Sequence, residues 1–89
     1  MTNSPTSMTT GQTTIEVVTF THEDYSFSYE VKVTQPRTPT RLNPSRQALA
    51  CIPFLKDEDE AIRFAAQAFR AAQANPNASV VEIRNAARY

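Results

Sequence analysis

The sequence predicts an α+β domain, with a β-hairpin and a third strand in one sheet and one main helix on a face of that sheet. Three observations lead there. The run YSFSYEVKV alternates without a break, with Tyr25, Phe27, Tyr29, Val31 and Val33 on one side and Ser26, Ser28, Glu30 and Lys32 on the other. Side chains of a strand leave on opposite faces with period two, so this is a half-buried strand. The run KDEDEAIRFAAQAFRAAQANP instead carries a helical period with stop signals at both ends. Two further β-branched stretches, TTIEVVTFT and SVVEIR, lie before and after these segments. The expected order is β-β-(short α)-α-β.

Residues 1–13 precede the first strand and read as a flexible tail, with the single domain covering residues 14–89. From Met1 to Thr14 there are eight Ser or Thr and no charged residue, together with the chain's one glycine, Gly11. No periodic apolar face is available there to offset the entropy of ordering. The hairpin tip falls on His22, Glu23 and Asp24. A three-residue tip pairs Val17 with Tyr29 and Ile15 with Val31, which puts apolar groups on one face. A four-residue tip sets Glu16 against Tyr29, so the shorter one is preferred.

In the main helix, Asp57 is the expected N-cap, and Glu60 three residues later suits a capping box. Glu58 and Asp59 complement the dipole of the first turn, and Asn75-Pro76 ends the helix. Arg63, Gln67, Arg70 and Gln73 take one side. Ile62, Phe64, Ala65, Ala68, Phe69 and Ala72 take the other, with alanine along the middle and large residues at the flanks. Such a strip lets a helix lie close across a sheet, with Phe64 and Phe69 in the core. The segment between hairpin and helix is too long for a simple loop. Asn43-Pro44 opens a short helix through SRQALACI in the preferred reading, and ALACI forms a short buried strand in the other.

Composition narrows the function. The chain has 89 residues, with nine basic against nine acidic, so net charge favours neither nucleic acid nor membrane. Its one cysteine, Cys51, excludes an internal disulfide, and a domain this small often gains stability by self-association or docking. Neither a secretory signal pattern nor a membrane-length apolar run is visible, which gives a cytoplasmic expectation.

The candidate chemistries have plain structural readings. Cys51 has apolar sequence neighbours and reads as buried, rather than as a nucleophile needing a base or a positive field. His22, Glu23 and Asp24 are adjacent on a turn and do not converge on a metal, and Asp57 to Glu60 lack the spacing and turn glycine of a calcium loop. Tyr25, Phe27 and Tyr29 could stack bases, but the apolar helix face needs such a stripe as core. Neither a phosphate-binding glycine loop nor a nucleophile–base pair is present, so no enzyme, cofactor or metal is expected.

One local departure from neutrality remains. From Lys32 to Lys56 there are five basic residues and no acid. Arginine pairs bidentately with carboxylates and is common in interfaces, so Arg37, Arg41 and Arg46, with Arg84 and Arg88, are the candidate partner-binding residues. The expected function is a small non-enzymatic protein-binding or accessory module, regulatory or a subunit of a larger assembly, with a homodimer as one form. The alternative is a nucleic-acid-binding protein using the basic connector 32–56.

Overall fold

The structure is a computed structural model that describes residues 6–37 and 47–88. It is an α+β fold: four antiparallel strands in the order β1-β2-β3-β4, followed by two helices. The strands are β1 (Thr6–Thr10), β2 (Thr13–Thr21), β3 (Phe27–Pro36) and β4 (Gln47–Leu55). The helices are α1 (Glu58–Ala74) and α2 (Val80–Ala87). Both lie on one face of the sheet, α1 mainly over β1 to β3 and α2 over β4 and β3.

The inner face of the sheet presents Ile15 and Val17 from β2, Val31 and Val33 from β3, and Ala48, Ala50 and Ile52 from β4, all buried. Against them α1 sets Ala61, Ala65, Ala68 and Ala72, a spacing of four, three and four that keeps one stripe toward the sheet. Phe64 and Phe69 flank the stripe and are half-buried, while Ile62 is largely exposed. Asp57 caps α1 as expected, but its carboxylate accepts from the Asp59 N–H at 2.9 Å, one residue short of the capping-box geometry with Glu60. Asn75 closes the other end, its N–H donating to the Ala71 carbonyl at 3.0 Å.

Four local expectations are corrected. First, Thr6–Thr10 lies inside the segment read as a tail, yet pairs with β2 in the register Met8↔Ile15 and Thr10↔Thr13. Gly11, with φ +57, supplies the positive φ that a two-residue hairpin turn needs at its first central position. Threonine suits a pleated ladder, and only Met8 needs to reach the core, so an apolar count does not find this strand.

Second, the β2–β3 register is Val17↔Val31 and Ile15↔Val33, two residues away from the expected pairing. An even shift keeps every side chain on its intended face. The tip is wider because Asp24 accepts from the Ser26 N–H at 3.1 Å and from its hydroxyl, while the His22 N–H donates to the Ser26 carbonyl at 2.9 Å. Third, Gln47–Leu55 is a strand and not a short helix; its alternation of Ala48, Ala50 and Ile52 inward gives β3 a partner. The helix start expected at Asn43-Pro44 lies outside the described residues.

Fourth, SVVEIR is helical. Ser79 Oγ accepts from the Glu82 N–H at 3.2 Å and Glu82 Oε1 accepts from the Ser79 N–H at 3.3 Å, a closed capping box. Val80, Ile83 and Ala87 then face inward at helical spacing. The cap and the alanines that follow outweigh the β preference of two valines and an isoleucine. A buried amide joins this helix to the sheet: Gln35 Nε2 donates to Thr13 Oγ1 at 3.0 Å and to the Ala78 carbonyl at 2.7 Å.

Two measurements test this packing. Changing Gln35 to Leu strips the Ala78 carbonyl of its buried donor and should cost about 1–3 kcal/mol in urea unfolding. Phe69→Ala should cost about 2 kcal/mol, below the range for a fully buried phenylalanine because the ring is half-exposed. Unchanged unfolding midpoints in both variants would mean that the helices do not sit on this sheet face.

Candidate functional site

Three regions concentrate side chains that the core does not use. The first is the end of the sheet where the β2–β3 tip meets the end of β4. Strand β4 carries one extra residue there: Val31 pairs with Ile52, but Tyr29 pairs with Leu55. The bulge falls on Pro53-Phe54, and Phe54 has φ +62. Left-handed backbone at a bulge usually belongs to glycine, and a bulky residue there is strained. Phe54 nonetheless stays 86% exposed.

Tyr25, at φ +65 in the hairpin tip, is 87% exposed, and Phe27 is 53% exposed. Of the aromatic stripe expected as core, only Tyr29 packs against it. Tyr25 and Phe27 are not among the residues packed against the core. Phe27 and Tyr29 line an open depression with His22, Ser26, Ser28 and Lys56.

Within this region His22 Nε2 lies 2.8 Å from Ser28 Oγ. The Asp24 carboxylate that would orient the imidazole is instead taken by Ser26, whose hydroxyl and N–H hold its pKa below the ordinary value. The pair therefore ties β2 to β3 at the hairpin mouth and lacks the third group of a nucleophilic site. Burial, and then the Glu58 carboxylate beside its hydroxyl, push the Tyr29 pKa up. That contact links β3 to the first turn of α1.

The second region runs along β4 and α2. Arg37 follows β3 directly, beside Gln47, because Pro36 pairs with Gln47. Arg84 and Arg88 lie four residues apart, one turn of helical spacing, Arg84 within α2 and Arg88 at its C-cap, with Val81 on the same side. Arg84 donates to Asn85 Oδ1 at 3.2 Å and 3.4 Å, and Arg37 and Arg88 are exposed. Of the five arginines expected to bind a partner, Arg84 and Arg88 belong to α2, which packs over β4 and β3, and Arg37 extends β3 next to the start of β4. Arg41 and Arg46 lie outside the described residues. The basic connector 32–56 is not one loop: Lys32 is in β3, and Gln47–Leu55 is β4.

The third region is the outer face of the sheet, which neither helix covers. Lys32 pairs with Cys51 there, and Leu49 is 53% exposed. Cys51 is half-buried rather than buried, because strand geometry turns it away from Ala50 and Ile52 toward this open face. Burial raises its pKa first, then the Glu30 carboxylate, which accepts from the thiol; Lys32 and Arg84 oppose the rise. The thiol is thus held protonated, the opposite of what a nucleophile needs.

Among the described residues no group of three or more His, Cys, Asp or Glu could hold a metal ion. No helix among them is long and apolar enough to cross a membrane. Compared with protein-family models, curated proteins and solved structures, the chain matches none. The functional reading therefore rests on the chain's own residues.

The Cys51 environment is directly measurable. Native Cys51 should react with a maleimide more slowly than a free thiol at pH 7.5, and faster as pH rises. Glu30→Gln removes the carboxylate that disfavours the thiolate, so labelling at pH 7.5 should accelerate. Equal rates in the two proteins would show that Glu30 does not face the thiol.

Proposed function

We propose that this chain is a small non-enzymatic protein-binding module, an accessory or regulatory subunit acting in the cytoplasm. Phe54 carries the reading. A left-handed phenylalanine costs on the order of 1–3 kcal/mol, a large share of what a domain of this size has to spare. In the free molecule that strain returns nothing, because the ring stays out in solvent. The strain makes sense when a partner covers the ring. Tyr25 and Phe27 stand at the same end of the sheet, and aromatic side chains are the residues that most often anchor protein interfaces.

Nucleic acid is the competing partner, since exposed aromatics also stack bases. The residues around Phe54 oppose it. Lys56 is followed by Asp57, Glu58, Asp59 and Glu60, and Glu23 and Asp24 occupy the hairpin tip. Six carboxylates around three aromatics repel a phosphate backbone.

Phe54→Gly separates binding from folding. Glycine accepts φ +62 without strain, so the variant should melt at the same temperature as the parent or higher, despite its more flexible unfolded chain. Partner capture from source-cell lysate should survive nuclease treatment with the parent and drop sharply with the variant. Recovery of nucleic acid alone would overturn the reading. So would a partner held equally by both proteins, since Phe54 would then lie outside the interface.

A further inference from the structure

We propose that the outer edge of β4 accepts an extended acidic segment of the partner as an added strand, with Arg37, Arg84 and Arg88 pairing its carboxylates. The proposal rests on the protein-binding reading above and names where the partner's chain would lie. Strand β4 pairs with β3 on one side, and no described strand pairs with its other side. From Ala48 to Ile52 it contains no charged residue, proline or bulge, which are among the devices that ordinarily shield a sheet edge. The opposite edge, β1, spans only five residues. An extended segment laid on β4 gains main-chain hydrogen bonds along its length, and side chains beside the edge choose its sequence.

Those side chains are basic. Gln35 holds the start of α2 near the Ala48 end of β4 through its bond to the Ala78 carbonyl, and the helix then packs along that strand. Val80, Ile83 and Ala87 face the core, so Val81, Arg84 and Arg88 stand off the packed face of a helix that lies over β4 and β3, with Val81 and Arg88 exposed and Arg84 half-buried. The positive charge of Arg84 also acts on Cys51, on the outer face of β4. Arg37 stands at the Gln47 end. Glu82 and Glu30 keep their negative charge while they accept hydrogen bonds, but Arg37, Arg84 and Arg88 outnumber them, so the net charge of this part of the surface is positive although the whole chain is neutral.

A second copy of the chain is a poorer occupant. Antiparallel pairing of β4 with itself places a two-fold axis normal to the sheet and brings one α2 toward the other. Arg84 and Arg88 would then approach their own copies, which is repulsive. An acidic strand meets no such opposition.

The probe is an eight-residue peptide alternating Glu and Val, titrated into the full chain with fluorescence anisotropy at low and physiological salt. Two control peptides accompany it, one with Lys in place of Glu and one with alternate backbone nitrogens methylated. The acidic peptide should bind, more weakly as salt rises, while the Lys peptide should not. N-methylation keeps the charge but removes N–H donors and should weaken binding at least tenfold. Arg37→Glu combined with Arg88→Glu, both at exposed positions, should weaken it at least tenfold with an unchanged circular dichroism spectrum. Equal binding of the methylated peptide would overturn strand addition, and so would the absence of binding by the acidic peptide. Dimerisation without peptide binding would assign the edge to a second copy. If nuclease-resistant capture still depends on Phe54 in those cases, only the β4 proposal fails.

Discussion

The structure depends on how closely α1 can approach the sheet. Ala61, Ala65, Ala68 and Ala72 present methyl groups to Ile15, Val17, Val31 and Val33, so the bulk of this interface comes from the strands. A larger residue in the stripe would lift the helix and open gaps under Phe64 and Phe69, which reach down on either side. The arrangement also limits the core. Alanine buries little area, and one helix cannot cover four strands, so α2 is needed over β4. The Gln35 amide fixes where α2 begins, through a bond from the inner sheet face to the residue before its cap. With both helices committed to one face, the outer face and the β4 edge are left over. The unused surface follows from the packing.

How much of this was legible in the residues varies by element and for identifiable reasons. The α1 boundaries, its alanine stripe and the faces of β2 and β3 follow from strong local patterns, and each survives in the structure. Hairpin register departs by two from the hydrophobic pattern because the Asp24–Ser26 turn, invisible to that pattern, widens the tip. β1 has one apolar residue to bury and is held by its ladder and by Gly11, so burial arguments pass over it. α2 illustrates the opposite failure: two valines and an isoleucine suggest a strand, while Ser79 and Glu82 spell a capping box three residues apart. That signal was present and was outweighed by side-chain preference. β4 and its short-helix rival differ only in whether β3 has a partner, which is a non-local question.

The candidate site was legible only in part. Charge alone points to Arg37, Arg84 and Arg88; the fold puts Arg84 and Arg88 on α2 and Arg37 at the end of β3. The aromatic end was not foreseen, because alternation assigns Tyr25 and Phe27 to the core face without saying where the covering helix stops. Nor does any sequence pattern announce the Phe54 backbone. The left-handed turn sits at a bulge opposite Glu30, which depends on how β4 pairs with β3, a non-local matter.

Neutral composition conceals a divided surface. Glu23, Asp24 and the run Asp57 to Glu60 gather at the hairpin end, where Glu58 stands beside the Tyr29 hydroxyl. Arg37, Arg84 and Arg88 gather along β4 and α2. Phe54 stands at the acidic end and the uncharged stretch of β4 leads away from it, so one extended partner would meet aromatic and then basic surface in succession. Charges of both signs in separate places also suppress wrong partners, since a polyanion is repelled at one end and a polycation at the other. In the proposed interface the strained aromatic would supply contact area and the divided charge would supply orientation. Affinity and specificity would then come from different residues, and substitutions in one set should leave the other's contribution nearly intact where the two are well separated.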